Sequence, residues 1–368
     1  MTPERAVLLG SGGRAALALV GLRDDIELHT FHPRSLEQDV RLNFEPMGVG
    51  VTVFDAPCRY LCEYLHPLAR PRIAPLPSAN AGSVAVEARE VLRFGCLEGD
   101  FRVTAKCAVY DPQSGARPVA FRANGSRAER LALVVNAEEI RRLTGEEDIA
   151  IAAASTMSSD GATVVVVKNG PCGAHVFEQN APPHHVPAYP TSSVYKIGSG
   201  DVFSATFAHA WLPGETSATE AADLASRRTA DYVEVPAFPL PRLVSQRAAA
   251  SAKPVQRRVL LTSARKATSS RWLWGEAARG LEDLGAAVVF DENTNRGGSM
   301  RPTRSNFDLV LILLRDTDTA IADIRAVLGY DKPVVAFADD PAILNSVQGL
   351  GAVIHDDLCS ALYRTQWI

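Results

Sequence analysis

No apolar run in these 368 residues approaches the roughly 18–20 that a membrane-spanning helix needs, and the opening Met-Thr-Pro-Glu-Arg lacks a long apolar h-region. The expectation is a cytoplasmic protein with no membrane partner. Cysteine is sparse and scattered: Cys58, Cys62, Cys96, Cys107, Cys172 and Cys359 contain one CxxxC pair, Cys58/Cys62, with no second pair beside it. Nor do His29, His32, His66, His184, His185 and His209 fall at a zinc-like spacing with Cys or Asp, so buried or free thiols are favoured over a metal site. Neither sign of charge dominates, since 38 Lys+Arg stand against 42 Asp+Glu for a net charge of −4. That balance gives no electrostatic reason to expect a nucleic-acid partner.

What is present is an ordinary globular composition, 46% hydrophobic and 22% charged, which excludes wholesale disorder. At roughly 100–200 residues per domain the length predicts two domains. Ala6-Val-Leu-Leu-Gly10 reads as a short buried strand, Gly10-Ser-Gly-Gly13 as a turn and Arg14 to Val20 as a helix. Residues 45–90 read as short strands and loops. Strand patterns at 107–110, 131–135 and 163–167 alternate with helical ones at 138–143, from Gly198 onward and at 217–232. That alternation predicts an α/β fold with a parallel sheet flanked by helices. A polar Ala/Ser/Gln/Arg stretch within 241–256 marks a linker, and strands at 258–261, 286–290, 309–313 and 333–337 build a second, smaller doubly wound α/β unit. The expected domains are 1–240 and 257–368.

Gly198-Ser-Gly-Asp201 at a helix start is the sharpest chemical signal, because small residues let backbone N–H groups converge on an anion where the helix dipole favours negative charge. Asp201 is placed to take a proton from a hydroxyl that attacks a phosphoryl group. The same residues also suit a plain turn and N-cap. Gly10-Ser-Gly-Gly-Arg-Ala15 formally satisfies the dinucleotide pattern GxGxxA, but the next strand runs into His32-Pro33 instead of an acid suited to a ribose hydroxyl.

Three ordered motifs resemble the ribokinase-like (PfkB) family of carbohydrate and nucleoside kinases. Its DTxGAGDxF stands here as Tyr195-Lys-Ile-Gly-Ser-Gly-Asp-Val-Phe203, its NxxE and LxG as Asn136-Ala-Glu-Glu139 and Leu143-Thr-Gly145, and its VVTxGxxGA as Val165-Val-Val-Lys-Asn-Gly-Pro-Cys-Gly-Ala174. The resemblance implies ATP-dependent phosphoryl transfer to a sugar or nucleoside. Asp201 would be the general base and Gly198, Ser199 and Gly200 the anion hole. Asn136 and Glu139 would join the Mg2+–phosphate network, Glu139 on the metal side, with Lys168, Gly170 and Gly173 along the nucleotide. Gly12 and Gly13 correspond to the substrate motif GGxxxN, whose Asn is Leu17 here. The family's first strand and early substrate Asp are shortened or missing. Tyr195-Lys196 replaces an Asp-Thr pair, so the family's monovalent-cation site loses a ligand and potassium dependence stays open. A homodimer through lid strands is a further possibility of this family.

Residues 257–368 resemble the nucleoside 2-deoxyribosyltransferase-like fold, on Asp308 with its apolar run, Asp316 to Ile324, and Tyr330-Asp-Lys-Pro-Val334. That resemblance places Asp323 at the catalytic carboxylate, with Asp308 and Thr319 at the substrate. Arg296-Gly-Gly298 would be a phosphate or ribose loop, or a solvated turn. Leu260 stands where the family often has a Tyr, and of Trp272 and Trp274 one is expected in the core and the other at the interdomain contact. Besides the kinase reading, two alternatives follow: N-glycosidic cleavage or transfer by the C-terminal unit, and a non-catalytic nucleotide or nucleoside sensor.

Overall fold

Along the run Val164–Val167 side chains alternate between two cores, Val165 and Val167 to one side and Val164 and Val166 to the other, and none of the four is exposed. Such a strand can only sit in the middle of a covered sheet. The computed structural model describes residues 7–76, 81–113, 118–250, 256–263, 268–290 and 306–368. Its first part contains α1 (Ser11–Leu19), β1 (Glu27–His32), α2 (Glu37–Phe44), β2 (Gly50–Asp55), β3 (Leu61–Glu63), β4 (Arg72–Ala74), β5 (Ser83–Phe94), β6 (Asp100–Asp111) and β7 (Arg127–Asn136). There follow α3 (Ala137–Thr144), α4 (Ile149–Asp160), β8 (Val164–Lys168), β9 (Ala174–Glu178), β10 (His184–Val186), α5 (Ser199–Trp211) and α6 (Ala218–Glu234).

The main sheet has the order β10-β9-β8-β7-β6-β5, with β5 to β8 parallel and β9 and β10 antiparallel. On one face α3 and α4 bring Ile140, Ala152 and Ala153 against Leu131, Leu133 and Val135. On the other, α5 and α6 bring Phe203, Phe207, Ala221 and Ala225 against Ala132 and Val134. β1 and β2 form a separate two-stranded parallel sheet, and β3 and β4 a short antiparallel ribbon. Phe31 and Phe54 of the small sheet stack with Phe101 of β6, the Phe31–Phe101 centroids lying 4.6 Å apart.

The second unit comprises β11 (Arg258–Ser263), α7 (Thr268–Asp283), β12 (Ala287–Phe290), β13 (Leu309–Leu313), α8 (Thr317–Leu328), β14 (Val334–Phe337), α9 (Pro341–Val347), β15 (Val353–His355) and α10 (Leu358–Trp367). Its five strands are all parallel in the order β12-β11-β13-β14-β15, with α7 and α10 on one face and α8 and α9 on the other. The molecule is thus an α/β protein with mainly parallel sheets flanked by helices.

Three features depart from the sequence reading. Residues 7–10 form no strand, and Val7 is 62% exposed, because β1 pairs with β2 and leaves this segment no partner. The expected linker is bound to the first unit as far as it is described: Arg247 pairs with Asp231 and with Glu234, and Ala250 N–H donates to Ala188 O at 2.8 Å. Charge pairing fixes a stretch that has little apolar surface to bury. Lastly, α10 serves two cores, with Leu358, Ala361 and Leu362 against the second sheet and Cys359 and Tyr363 among residues of the first unit. Trp272 is half exposed beside His66, and Trp274 packs on Phe290.

Gly173 shows how tightly the first unit is built. It adopts φ +85°, and a Cβ there would fall 2.0 Å from Val186 O. Gly173→Ala should therefore lose about 1–3 kcal/mol of stability through backbone strain and overlap. A urea midpoint equal to that of the parent would show that the loop relaxes at no cost.

Candidate active site

The carboxyl ends of β6, β7 and β8 converge on the N-terminus of α5, the edge at which open parallel sheets bind ligands. β6 ends in Asp111, β7 in Asn136 and β8 in Lys168. Lys168 Nζ donates to Asp111 Oδ2 at 2.7 Å, and Ser204 Oγ of α5 donates to the same oxygen at 2.6 Å. Burial disfavours the Lys168 ammonium, but Asp111 and Glu139 outweigh it and hold its pKa above the usual lysine range. Lys168 Nζ also lies 3.5 Å from the point where a Cβ of Gly200 would be, which places this cation at the first turn of α5.

That turn starts from Gly198 at φ +86°, where a Cβ would lie 2.6 Å from Arg14 Cδ and 2.7 Å from Tyr232 Oη. Glycine is required there on both counts. No side chain caps α5, and of its leading N–H groups that of Ser199 is taken by Lys196 O at 3.1 Å. Lys196 Nζ donates to Ser199 Oγ at 3.1 Å, and no carboxylate among the described residues forms an ion pair with it. Burial, reinforced by Lys168, lowers its pKa below the lysine range. Two lysines at an uncapped helix N-terminus, one of them paired with Asp111, are groups whose chemistry suits an anion.

Asp201 is 4% exposed, and its two oxygens are engaged, Oδ2 by Arg14 Nη1 at 2.9 Å and Oδ1 by Gln113 Nε2 at 3.0 Å. Burial raises its pKa, against the pull of Arg14. Arg14 and Gln113 in turn line a cleft of about 2600 Å³ between α1, the β1–β2 sheet and the β3–β4 ribbon. They stand between the carboxylate and that space. Gly12 and Gly13 border the same cleft, yet their smallness serves packing: a Cβ on Gly13 would lie 2.7 Å from Phe44 Cζ, and one on Gly12 3.3 Å from Leu28 Cδ1. Leu17 is buried against α2 and β2.

Asn136 and Glu139 form a reciprocal capping box on α3: Glu139 N–H donates to Asn136 Oδ1, and Asn136 N–H to Glu139 Oε2, both at 2.8 Å. Burial, then Asp111, raises the Glu139 pKa, while Lys168 lowers it. No group of three His, Cys, Asp or Glu among the described residues is arranged to hold a metal ion. A Mg2+ carried on phosphate oxygens needs only one or two protein carboxylates, and Glu139, with one oxygen held by Asn136, meets that requirement.

The structure brings together Gly198, Ser199, Gly200, Asp201, Lys168 and Glu139. Gly170 and Gly173 follow Lys168 in the turn into β9, and Tyr363 Oη lies 3.6 Å from the Cβ position of Gly170. Of the candidates in the second unit, Thr319 and Asp323 meet and Asp308 is engaged elsewhere. Asp308 sits at the amino end of β13, bonded to Arg258 N–H at 2.8 Å and Nη2 at 3.0 Å, the opposite edge from a parallel-sheet ligand site. Thr319 Oγ1 donates to Asp323 Oδ2 at 2.8 Å along α8. Leu260 is fully buried, and Arg296-Gly-Gly298 lies outside the described residues. Sequence reasoning missed Asp111, Gln113 and the pairing of Arg14. The available signal was Asp111 at the carboxyl end of a strand.

Residues 126–230 match the family profile described as pfkB family carbohydrate kinase. Among solved structures, ribokinase from Thermotoga maritima is 20% identical at a TM-score of 0.45, over 63% of this chain and 84% of that one. Arabidopsis thaliana ribokinase complexed with ribose and ATP is 18% identical at 0.43, over 62% and 82%. A pyrophosphate-dependent kinase of the ribokinase family, complexed with a pyrophosphate analog and myo-inositol, is 15% identical at 0.40, over 63% and 89%. No curated protein matches the chain.

Lys196 makes the anion site testable. Replacing it with Ala should weaken pyrophosphate binding about ten- to a hundredfold, the value of one charge-assisted contact. Because its folded pKa is lowered, wild-type affinity should fall with rising pH before an ordinary lysine would deprotonate, and Lys196→Arg should remove that alkaline decline. Calorimetric titration across pH reads both effects, and a Lys196→Ala protein that binds like the parent would remove Lys196 from the site.

Proposed function

We propose that the first unit is a phosphotransferase that moves a phosphoryl group onto a hydroxyl of a sugar or nucleoside. The observation that carries this reading is the uncapped N-terminus of α5 with Lys168, Lys196 and the buried Asp201 all at its first turn. The donor phosphates would lie on the Gly200 and Asp201 N–H groups and the two ammonium groups. Those fixed donors stabilise the charge of a transferring phosphoryl group at no cost of reorganisation. The donor implied by the family resemblance is ATP with Mg2+; the ion, when bound, would neutralise phosphate charge beside Glu139.

The acceptor enters from the cleft. Its hydroxyl oxygen forms the new O–P bond, the bond from phosphorus to the leaving phosphate oxygen breaks, and the hydroxyl proton passes to the Asp201 carboxylate. Burial suits Asp201 to hold that proton, since desolvation raises its basicity. Arg14 and Gln113 each hold one oxygen, so the arriving hydroxyl uses a remaining lone pair or displaces one of them.

That occupation of both oxygens favours a second reading, in which the fold binds a polyanion without turnover. The two are separated by incubating the protein with Mg2+, phosphoryl donors and a panel of sugars and nucleosides, then separating the products by chromatography. Phosphotransferase action predicts a phosphorylated acceptor and a loss of about 10²–10⁴-fold in Asp201→Asn. Donor binding with no product in the parent protein would establish the polyanion-binding reading instead.

A further inference from the structure

In-line phosphoryl transfer sets the attacking oxygen and the leaving group on opposite sides of phosphorus. With the acceptor arriving from the cleft behind Arg14 and Gln113, the rest of the donor must run the other way, past Lys168 and Lys196 toward the Gly170–Gly173 turn and Val194. In this molecule that ground belongs to α10. Val194 N–H donates to Ser360 Oγ at 2.8 Å, and Trp367 Nε1 donates to Pro171 O at 3.1 Å. Cys359 and Tyr363, 0% and 5% exposed, share one apolar cluster with Val194, Val202 of α5 and Tyr232 and Val233 of α6. The space beside the phosphate end is filled by side chains of the second unit.

α10 is not a loose strap. Leu358, Ala361 and Leu362 on its other side are packed in the core of the second sheet against α7, where Leu362 Cδ1 lies 2.7 Å from the Cβ position of Gly280. Residues 66–68 of the first unit brace the same interface, with His66 Nε2 3.0 Å from Glu276 Oε2 of α7. A nucleoside attached to the phosphates would have to displace a helix held in two cores.

We propose that the α5 site takes a phosphoanhydride chain without a nucleoside, inorganic pyrophosphate or a short inorganic polyphosphate, and that Tyr363 and Trp367 are the residues that exclude the base. The inference rests on the phosphotransferase reading of the α5 site and narrows its donor. In the reaction the acceptor oxygen bonds to the terminal phosphorus, the P–O–P bridge breaks with its electron pair leaving on the departing phosphate, and Asp201 receives the hydroxyl proton.

The test is calorimetric titration of the full chain with pyrophosphate, tripolyphosphate, ATP and adenosine, each with Mg2+, repeated on Tyr363→Ala and on Trp367→Ala. Trp367 is only half buried, so its variant keeps the test available if Tyr363→Ala fails to fold. The wild-type chain should bind pyrophosphate and tripolyphosphate, bind ATP no more tightly than tripolyphosphate, and ignore adenosine. In a folded variant the affinity for ATP relative to pyrophosphate should rise about tenfold or more. Wild-type ATP binding about tenfold tighter than tripolyphosphate overturns the proposal and leaves the α5 anion site standing. Folded variants with an unchanged ratio overturn the role of Tyr363 and Trp367. If no phosphate chain binds the parent protein at all, the α5 reading itself fails, and this inference fails with it.

Discussion

One buried ion pair, Lys168 to Asp111 at 2.7 Å, holds together the strand ends beside the α5 N-terminus. It joins the ends of β8 and β6 across the intervening β7, and Ser204 brings α5 onto the same carboxylate. Neither charge could be left alone there: breaking a buried pair by removing one partner typically costs about 3–5 kcal/mol. The pair therefore fixes where the α5 N-terminus lies relative to the sheet. The arrangement around it follows from that position, including the placement of Lys168 beside Gly200 and of Asp201 in the same first turn.

The second charged contact, Arg14 to Asp201, has a different character. It links α1, which packs on α2 and the small sheet, to the helix that carries the candidate base. Because Gln113 takes the other oxygen, each oxygen of the Asp201 carboxylate has a partner. A buried carboxylate without such partners would tend to stay protonated. Arg14 pulls against that tendency, though burial still leaves the Asp201 pKa raised, and Arg14 and Gln113 together shield the carboxylate from the cleft.

The two α/β units are joined through side chains more than through the chain between them. α10 gives one face to each core, and the apolar cluster around Tyr363 contains residues from α1, α5, α6 and the Val194 segment. Motion of the second unit would expose that cluster to water, and burial of apolar surface opposes it. The surroundings of Val194 and the α5 N-terminus are consequently shaped by residues more than 150 positions away in sequence.

The sequence alone determined the local chemistry and the periodicity. An unbroken run of valines marked β8 as a buried strand, Asn136 and Glu139 three apart marked the start of α3, and Gly198-Ser-Gly-Asp201 marked the start of α5. These are properties of neighbours in the chain, set by apolar runs, capping geometry and the tolerance of glycine for positive φ. Only the tertiary structure decided what meets what. Asp111 lies 57 positions from Lys168, Arg14 lies 187 from Asp201, and Ser360 lies 166 from Val194. The same is true of Asp308, whose sequence surroundings suggested a substrate ligand but whose strand end places it on Arg258. Long-range ion pairs and shared apolar faces leave no periodic trace in a single sequence, because they depend on how finished sheets and helices pack.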